Sequence, residues 1–355
     1  MNIAITIPNI LVTGGAERVV YNLSRYLSKK HDITIVSLFT NDLNNIVSAF
    51  KMIHCNISSP TSLLSRFYIR NFPSKSLVDL LNSYDLVISN NVFRNYLNPN
   101  HIKTKSIDVN HLNYEESGGK PSLKKTLGLI LRNHNFKSID KLVVLTKQDE
   151  VKFCNSGLKN VVTIPNGLSF LPDNTADLNQ KQVIAIGRLH YDKGHDNLIK
   201  AWIKVNKLFP DWHLKIYGDG PARNILEDMI INLNLTDSIS LPGIVDNIMD
   251  KIMESGVFVM SSHYEGFGMT ILESMVCGLP VVSFDCPTGP SEILQQGKFG
   301  FLAKNQNIED LADKLILLMS SYELRQEYGR KARERALDYS WEKIGPLWDN
   351  LIDSM

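Results

Sequence analysis

One stretch constrains the fold more than any other. Gly256-Val257-Phe258-Val259-Met260 leads through Ser261-Ser262-His263-Tyr264-Glu265-Gly266-Phe267-Gly268 into Met269-Thr270-Ile271-Leu272-Glu273, and Gly278-Leu279-Pro280 then precedes Val281-Val282-Ser283-Phe284. The opening five residues are short, apolar and bounded by Gly and Ser, so they read as a buried strand. The chain turns on Gly266 and Gly268, enters a helix near Met269 and comes back as a second strand at Val281. Gly268 lets the backbone approach a ligand closely, and the amides of Met269 and Thr270 stand at a helix start, where anionic oxygen is favoured. A phosphate fits there. Glu265 lies in the loop before the glycines, and Glu273 lies about one turn inside the helix. Each carboxylate accepts two hydroxyl hydrogen bonds at once, which suits a vicinal diol, so the two serve different parts of one ligand. Taken singly, either Glu reads as an exposed acid.

The strand, loop, helix alternation runs the length of the chain. Strands are expected at 2–7, 33–39, 85–89, 105–109 and 141–146, with helical apolar spacing over 19–27 and 148–153. A second series starts at 182–187 and continues through 213–217 and 240–245, with helices over 196–209, 308–319 and 322–337. Pro165-Asn166-Gly167 is strong turn chemistry and a polar linker follows it, so the first domain closes at 166 and the second opens at 167. At 355 residues, two domains is the natural division. The alternation predicts an α/β chain with two doubly wound sheets.

Loops at the carboxyl ends of these strands carry the remaining candidates. Gly14 and Gly15 sit where the first strand hands over to a helix, a place suited to backbone contact with phosphate. His111 follows the strand at 105–109, where ligands of open parallel sheets bind. Arg188 and Lys193 flank the loop after the strand at 182–187, and two cations there neutralise a diphosphate without metal. Neither Gly14-Gly15 nor Gly218-Asp219-Gly220 completes the dinucleotide fingerprint G-x-G-x-x-G, which argues against an oxidoreductase.

Composition excludes several classes. Lys plus Arg is 38 against 37 for Asp plus Glu, leaving no global basic field for nucleic acid. Cys55, Cys154, Cys277 and Cys286 show neither C-x-x-C spacing nor clustered His, so no zinc site or disulfide framework is expected, and a reducing cytoplasm fits. No signal-like start and no apolar run of spanning length occur, so neither export nor a membrane span is expected. Local charge is less even. Between Gly118 and Lys141 stand Lys120, Lys124, Lys125, Arg132, Lys137 and Lys141, opposed only by Asp140, with Leu123, Leu127, Ile130 and Leu131 on an apolar face. Upstream, Arg66, Arg70 and Lys75 lie beside Leu63, Leu64, Phe67 and Tyr68. Basic amphipathic segments of this type lie on anionic membrane surfaces, each cation contributing about 1 kcal/mol near the headgroups. A solvated helix packing its apolar face on its own domain remains the alternative.

Glu265 and Glu273, seven residues apart with Gly-Phe-Gly after the first and Gly278-Leu279-Pro280-Val281-Val282 after the second, resemble the motif of the retaining glycosyltransferases of family 4, of the type found in bacterial surface-polysaccharide synthesis. The resemblance implies the GT-B fold, two Rossmann-like domains facing a cleft. It implies a C-terminal domain, 167–340, that holds a nucleoside diphosphate sugar, and an N-terminal domain, 1–166 joined by the returning helix 341–355, that holds the acceptor. By the same resemblance Glu265 contacts the transferred sugar, Glu273 binds the nucleotide ribose, and His111 lies near the transferred sugar and acceptor. Gly14 and Gly15 face the donor diphosphate, Arg188 and Lys193 grip it together with Gly266, Phe267, Gly268, Met269 and Thr270, and Ile244 belongs to the loop under the base. Ser283 to Pro290 looks like members that handle UDP-N-acetylhexosamines. The implied partners are a nucleotide sugar and a glycan or polyprenyl-diphosphate-linked acceptor, met by a cytoplasmic enzyme peripheral on an anionic membrane, with no cofactor and no metal. A nucleotide-sugar epimerase or hydrolase on the same fold, or a noncatalytic nucleotide-sugar binder, would share the donor residues.

Overall fold

A computed structural model describes residues 1–11, 14–39, 50–55, 57–112, 114, 133 and 135–355. The chain divides into two compact units, Met1–Ser169 with Trp341–Met355, and Phe170–Ser340. Unit 1 is built on a seven-stranded sheet of β1 Asn2–Ile7, β2 Asp32–Ser37, β3 Lys51–His54, β4 Leu86–Asn90, β5 Lys105–Asn110, β6 Lys141–Val144 and β7 Val161–Thr163. Its order is β3-β2-β1-β4-β5-β6-β7. Unit 2 holds β8 Gln182–Ile186, β9 His213–Tyr217, β10 Ile239–Gly243, β11 Val257–Met260, β12 Val281–Asp285 and β13 Phe301–Lys304, ordered β10-β9-β8-β11-β12-β13. Every strand pairing is parallel. Both are Rossmann-like α/β sheets.

Parallel strands need helical crossovers, and the crossovers cover both faces of a sheet, so central strands must be apolar throughout. β11 meets this demand, since Val257, Phe258 and Val259 are wholly buried. The helix His195–Leu208 turns Leu198, Ile199, Ala201, Trp202 and Val205 to the core of unit 2, the spacing of one helical face. Each large side chain so buried contributes roughly 1.5–3 kcal/mol. In both sheets the order reverses once, between β1 and β4 and between β8 and β11. Adjacent loops diverge at those two points and leave a crevice at the strand carboxyl ends.

Several expected bounds shift by a residue or two. The strand read at 33–39 is Asp32–Ser37, and the helix read at 148–153 is Lys147–Asn155, begun by a Thr146 cap on the Asp149 amide. The basic amphipathic stretch expected beside Leu63, Phe67 and Arg70 forms the helix Leu63–Asn71, and the structure adds β3 and the helix Lys75–Leu81. β3 is an edge strand with half-exposed residues, so it lacks the apolar run that marks a central strand. The basic segment at 123–132, with Lys120, Lys124, Lys125 and Arg132, lies outside the described residues.

The helix Trp341–Asp353 belongs to unit 1. It packs on the helix Gly15–Leu27, where the Tyr26 and Trp341 rings stack at 5.6 Å and the Tyr26 hydroxyl donates to Asp349 at 2.9 Å. Lys30 joins the same carboxylate at 2.6 Å, and the Trp341 indole donates to the Leu168 carbonyl at 3.1 Å. Gly345 lies directly on the Tyr26 ring, so that any Cβ there would overlap its carbons. Gly345→Ala is therefore expected to force the two helices apart and destabilise unit 1 by about 1–3 kcal/mol. Thermal unfolding followed by tryptophan fluorescence checks this, and an unchanged midpoint would mean that the helix contact does not hold the unit together.

Candidate active site

In unit 2 the reversal of strand order puts two loops side by side. One follows β8 and runs from Gly187 to Gly194; the other follows β11 and runs from Ser261 to Gly268. They are clipped together by backbone. The His263 amide donates to the Asp192 carbonyl at 2.8 Å, and Ser261 Oγ donates to the Lys193 carbonyl at 3.0 Å. Asn197 Nδ2 lies 3.2 Å from His263 Nε2, and the Tyr191 ring meets the buried His263 ring edge-on at 4.7 Å. Gly194 makes the approach possible. Its φ of 59° is left-handed, and a Cβ would collide with the Ser261 carbonyl and the His263 ring.

The clip brings a cation to a carboxylate. Lys193 Nζ lies 2.6 Å from Glu265 Oε1, with the side chains 29% and 13% exposed, and Ser262 Oγ donates to the same oxygen at 2.7 Å. The Thr288 hydroxyl donates to the Glu265 carbonyl at 2.7 Å and ties the loop to the segment after β12. The paired loops thus place the Lys193 ammonium, read from the sequence as a diphosphate cation, beside Glu265. Arg188 is exposed on the same loop.

Beyond Glu265 the chain turns sharply. Phe267 is buried edge-on to Tyr339 at 5.8 Å, and Gly268 takes a φ of 106° before the helix Met269–Val276. That helix has no side-chain cap, so its first amides, those of Met269 and Thr270 among them, have no partner within the helix. Glu273 is 3% exposed. The solvated reading of this residue is thereby overturned: it is a buried, partnered carboxylate on the helix that the glycines begin. Ile244 stands apart, 67% exposed after the edge strand β10. Two buried thiols flank the site and are inert at neutral pH: burial pushes Cys277 up to about 12 and raises Cys286 further.

In unit 1 the candidates also gather at the reversal point. Gly14, in extended conformation, opens the helix Gly15–Leu27 without a side-chain cap, leaving its first amides unpaired within the helix. Asn90 ends β4 and His111 follows β5, and His111 Nε2 lies 2.8 Å from Asn90 Oδ1. Burial pulls the His111 imidazole down to about 4, so it is neutral at physiological pH.

Sequence reasoning missed Ser262, Thr288 and Asn90. The first two act on Glu265 and the third on His111 through contacts that no local spacing records.

Two Rossmann-like units of parallel strands, each with glycine loops at its reversal point, define the GT-B class of glycosyltransferases. Comparison with known proteins narrows this further. Residues 13–169 match the family described as Glycosyltransferase Family 4, and residues 170–335 match the family described as Glycosyl transferases group 1. The chain belongs to this glycosyltransferase family. An uncharacterized glycosyltransferase of Haemophilus influenzae is 28% identical over 351 residues, covering 98% of each chain. The amylovoran biosynthesis glycosyltransferase AmsD of Erwinia amylovora is 28% identical over 372 residues, covering 98% of this chain and 99% of its own. The solved structure of a mutant of S. aureus TarM in complex with Fondaparinux, alpha-GlcNAc-glycerol and UDP has a TM-score of 0.82 at 20% identity and 99% coverage of both chains.

Gly194→Ala is expected to unclip the two loops. Hydrogen exchange at the His263 amide should then quicken by at least tenfold, a loss of about 1.4 kcal/mol in local protection. Unchanged exchange at that amide would show that the clip tolerates a side chain.

Proposed function

We propose that the protein is a retaining glycosyltransferase that moves a hexose or N-acetylhexosamine from a UDP-sugar to a glycan acceptor in the synthesis of a bacterial surface polysaccharide. The observation that carries this reading is the meeting, at one reversal point, of Lys193, Glu265 and an uncapped helix start bearing the buried Glu273. Each has a part in it. The diphosphate of the donor sits at the amides of Met269 and Thr270, where the helix dipole favours negative charge, and Lys193 and Arg188 neutralise the leaving group. No metal is required for that neutralisation. Glu273 accepts from the ribose hydroxyls and Glu265 from hydroxyls of the transferred sugar, the latter exchanging its ammonium partner for substrate. Gly14 and Gly15 serve the donor diphosphate, and His111 serves the transferred sugar and the acceptor. UDP in the TarM complex and the role of AmsD in amylovoran synthesis support the choice of nucleotide and product class.

Two substitutions and one chelator test it. Glu273→Gln is expected to raise the donor KM about tenfold or more with a smaller change in kcat, whereas Glu265→Gln lowers kcat at least as far and leaves the donor KM near its starting value. EDTA leaves both reactions unaltered. Equal, small effects of the two substitutions would falsify the assignment, and loss of activity restored by Mg²⁺ or Mn²⁺ would remove the metal-free step. Incubation with the UDP-sugar alone separates transfer from hydrolysis and epimerisation.

The acceptor reading is lipid-linked, a polyprenyl diphosphate glycan met at an anionic membrane surface. It is supported by the helix Leu63–Asn71, where Leu64 is 82%, Phe67 63% and Tyr68 65% exposed, with Phe72 just beyond at 64%. These large apolar side chains are mostly exposed. Arg66, Arg70 and Lys75 accompany them, and from residue 43 to 107 the acids are only Asp79 and Asp85 against seven Lys and Arg. No helix among the described residues is long and apolar enough to cross a membrane. Flotation with vesicles containing anionic lipid should carry the protein upward at low salt, and Phe67→Ser with Tyr68→Ser should weaken this at least fivefold. Protein left at the bottom of the gradient with anionic vesicles at low salt would end the membrane part of the reading.

A further inference from the structure

The hydrogen bond between Asn90 and His111 fixes more than a ring position. Asn90 ends β4 and is 1% exposed, and β4 pairs with β5 so that Asn90 lies opposite Val109, two residues before His111. Its carboxamide has two neighbours. Nδ2 donates to the Thr6 carbonyl of β1 at 3.4 Å, and Oδ1 lies 2.8 Å from His111 Nε2. Reversing the amide would set its oxygen against the Thr6 carbonyl oxygen, acceptor against acceptor, and so the observed orientation holds. An amide oxygen can only accept. Nε2 must therefore carry a hydrogen.

From this the geometry points to Asn90 as a positioning residue that holds His111 in the Nε2–H tautomer and leaves Nδ1 as a hydrogen-bond acceptor for a substrate hydroxyl. The ring stays neutral because it is buried. Asp108, three residues back on β5, turns its carboxylate to Ser89 Oγ at 2.5 Å, and Asp149 is taken by the Tyr114 amide at 2.9 Å and the Thr146 hydroxyl at 3.0 Å. A neutral ring of this tautomer accepts a hydrogen bond from a sugar hydroxyl at Nδ1; an Nδ1–H ring or an imidazolium would present a donor at that atom and could not. The proposal rests on the glycosyltransferase reading for the identity of the hydroxyl, but not for the tautomer.

Long-range proton–nitrogen correlation on the full-length chain with ¹⁵N-labelled histidine, at pH 7.5, decides the tautomer. The His111 signals are assigned among the nine histidines by their loss in His111→Gln. A protonated Nε2 and an unprotonated Nδ1 are expected, and the opposite pattern, or an even mixture, overturns the proposal whatever the enzyme transfers. Asn90→Asp places a carboxylate against Nε2 and favours imidazolium, so the acid limb of the kcat profile should move up by about one pH unit or more, a roughly tenfold loss at a fixed pH on that limb. A profile parallel to that of the unsubstituted enzyme overturns the positioning role. If Asn90→Asp does not fold, the spectrum of the unsubstituted chain still decides. The expected tautomer in a protein that transfers no sugar would remove the glycosyltransferase reading and leave the Asn90 assignment standing.

Discussion

The site in unit 2 depends on one backbone hydrogen bond, from the His263 amide to the Asp192 carbonyl. By itself such a bond contributes about 1 kcal/mol. Its importance lies in what it aligns. Lys193 is the next residue after Asp192, and Glu265 is two beyond His263, so the bond sets the separation of an ammonium and a carboxylate whose side chains keep some exposure. At such a place Coulomb attraction and desolvation nearly cancel, and the pair persists because the backbone has already brought the groups together. Ser262 adds a neutral donor to the same oxygen, so Glu265 keeps a hydrogen bond when Lys193 turns elsewhere.

The two sheets repeat one plan with different chemistry. Both reverse order once, and in both the loops at the reversal carry the residues singled out above. In unit 2 those loops hold charged groups and a glycine-started helix. In unit 1 they hold Gly14, Asn90 and a His111 that burial keeps neutral. The first set suits an anionic ligand whose charge must be matched, and the second suits hydroxyls that exchange hydrogen bonds without gaining charge. A shared scaffold thus supports two kinds of recognition, since parallel strands dictate where loops diverge and leave open what they carry.

How much of this could be read in the residues varies with range. β11 and β12 were legible because a central parallel strand must be apolar throughout, and helices such as Gly15–Leu27 and His195–Leu208 were legible from their spacing. β3 was not, because an edge strand can be half polar. Gly268 announced the turn, whose φ of 106° no other residue type adopts freely. The burial of Glu273 was hidden by its type, since glutamate is usually exposed. The partners of Glu265 were hidden by distance, Lys193 lying 72 positions before it and Thr288 lying 23 after it. Type and local spacing mark candidate groups, and only the crossing of strands says which of them touch.

The helix Trp341–Asp353 closes unit 1 from the far end of the chain, its Asp349 meeting Tyr26 across 323 positions. A chain made in one direction presents these partners at very different times. The strands and helices of unit 1 leave the ribosome early, yet the ring of Tyr26 stays uncovered until all of unit 2 has been synthesised. Unit 2, an unbroken stretch from Phe170 to Ser340, can complete its own sheet in that interval. Closing so long a loop costs little more entropy than closing one half its length, so the delay is one of order in time and not of equilibrium. During synthesis the half that starts first therefore finishes last, with an apolar seam open to chaperones, or to a neighbouring nascent chain, for as long as translation of the other half takes.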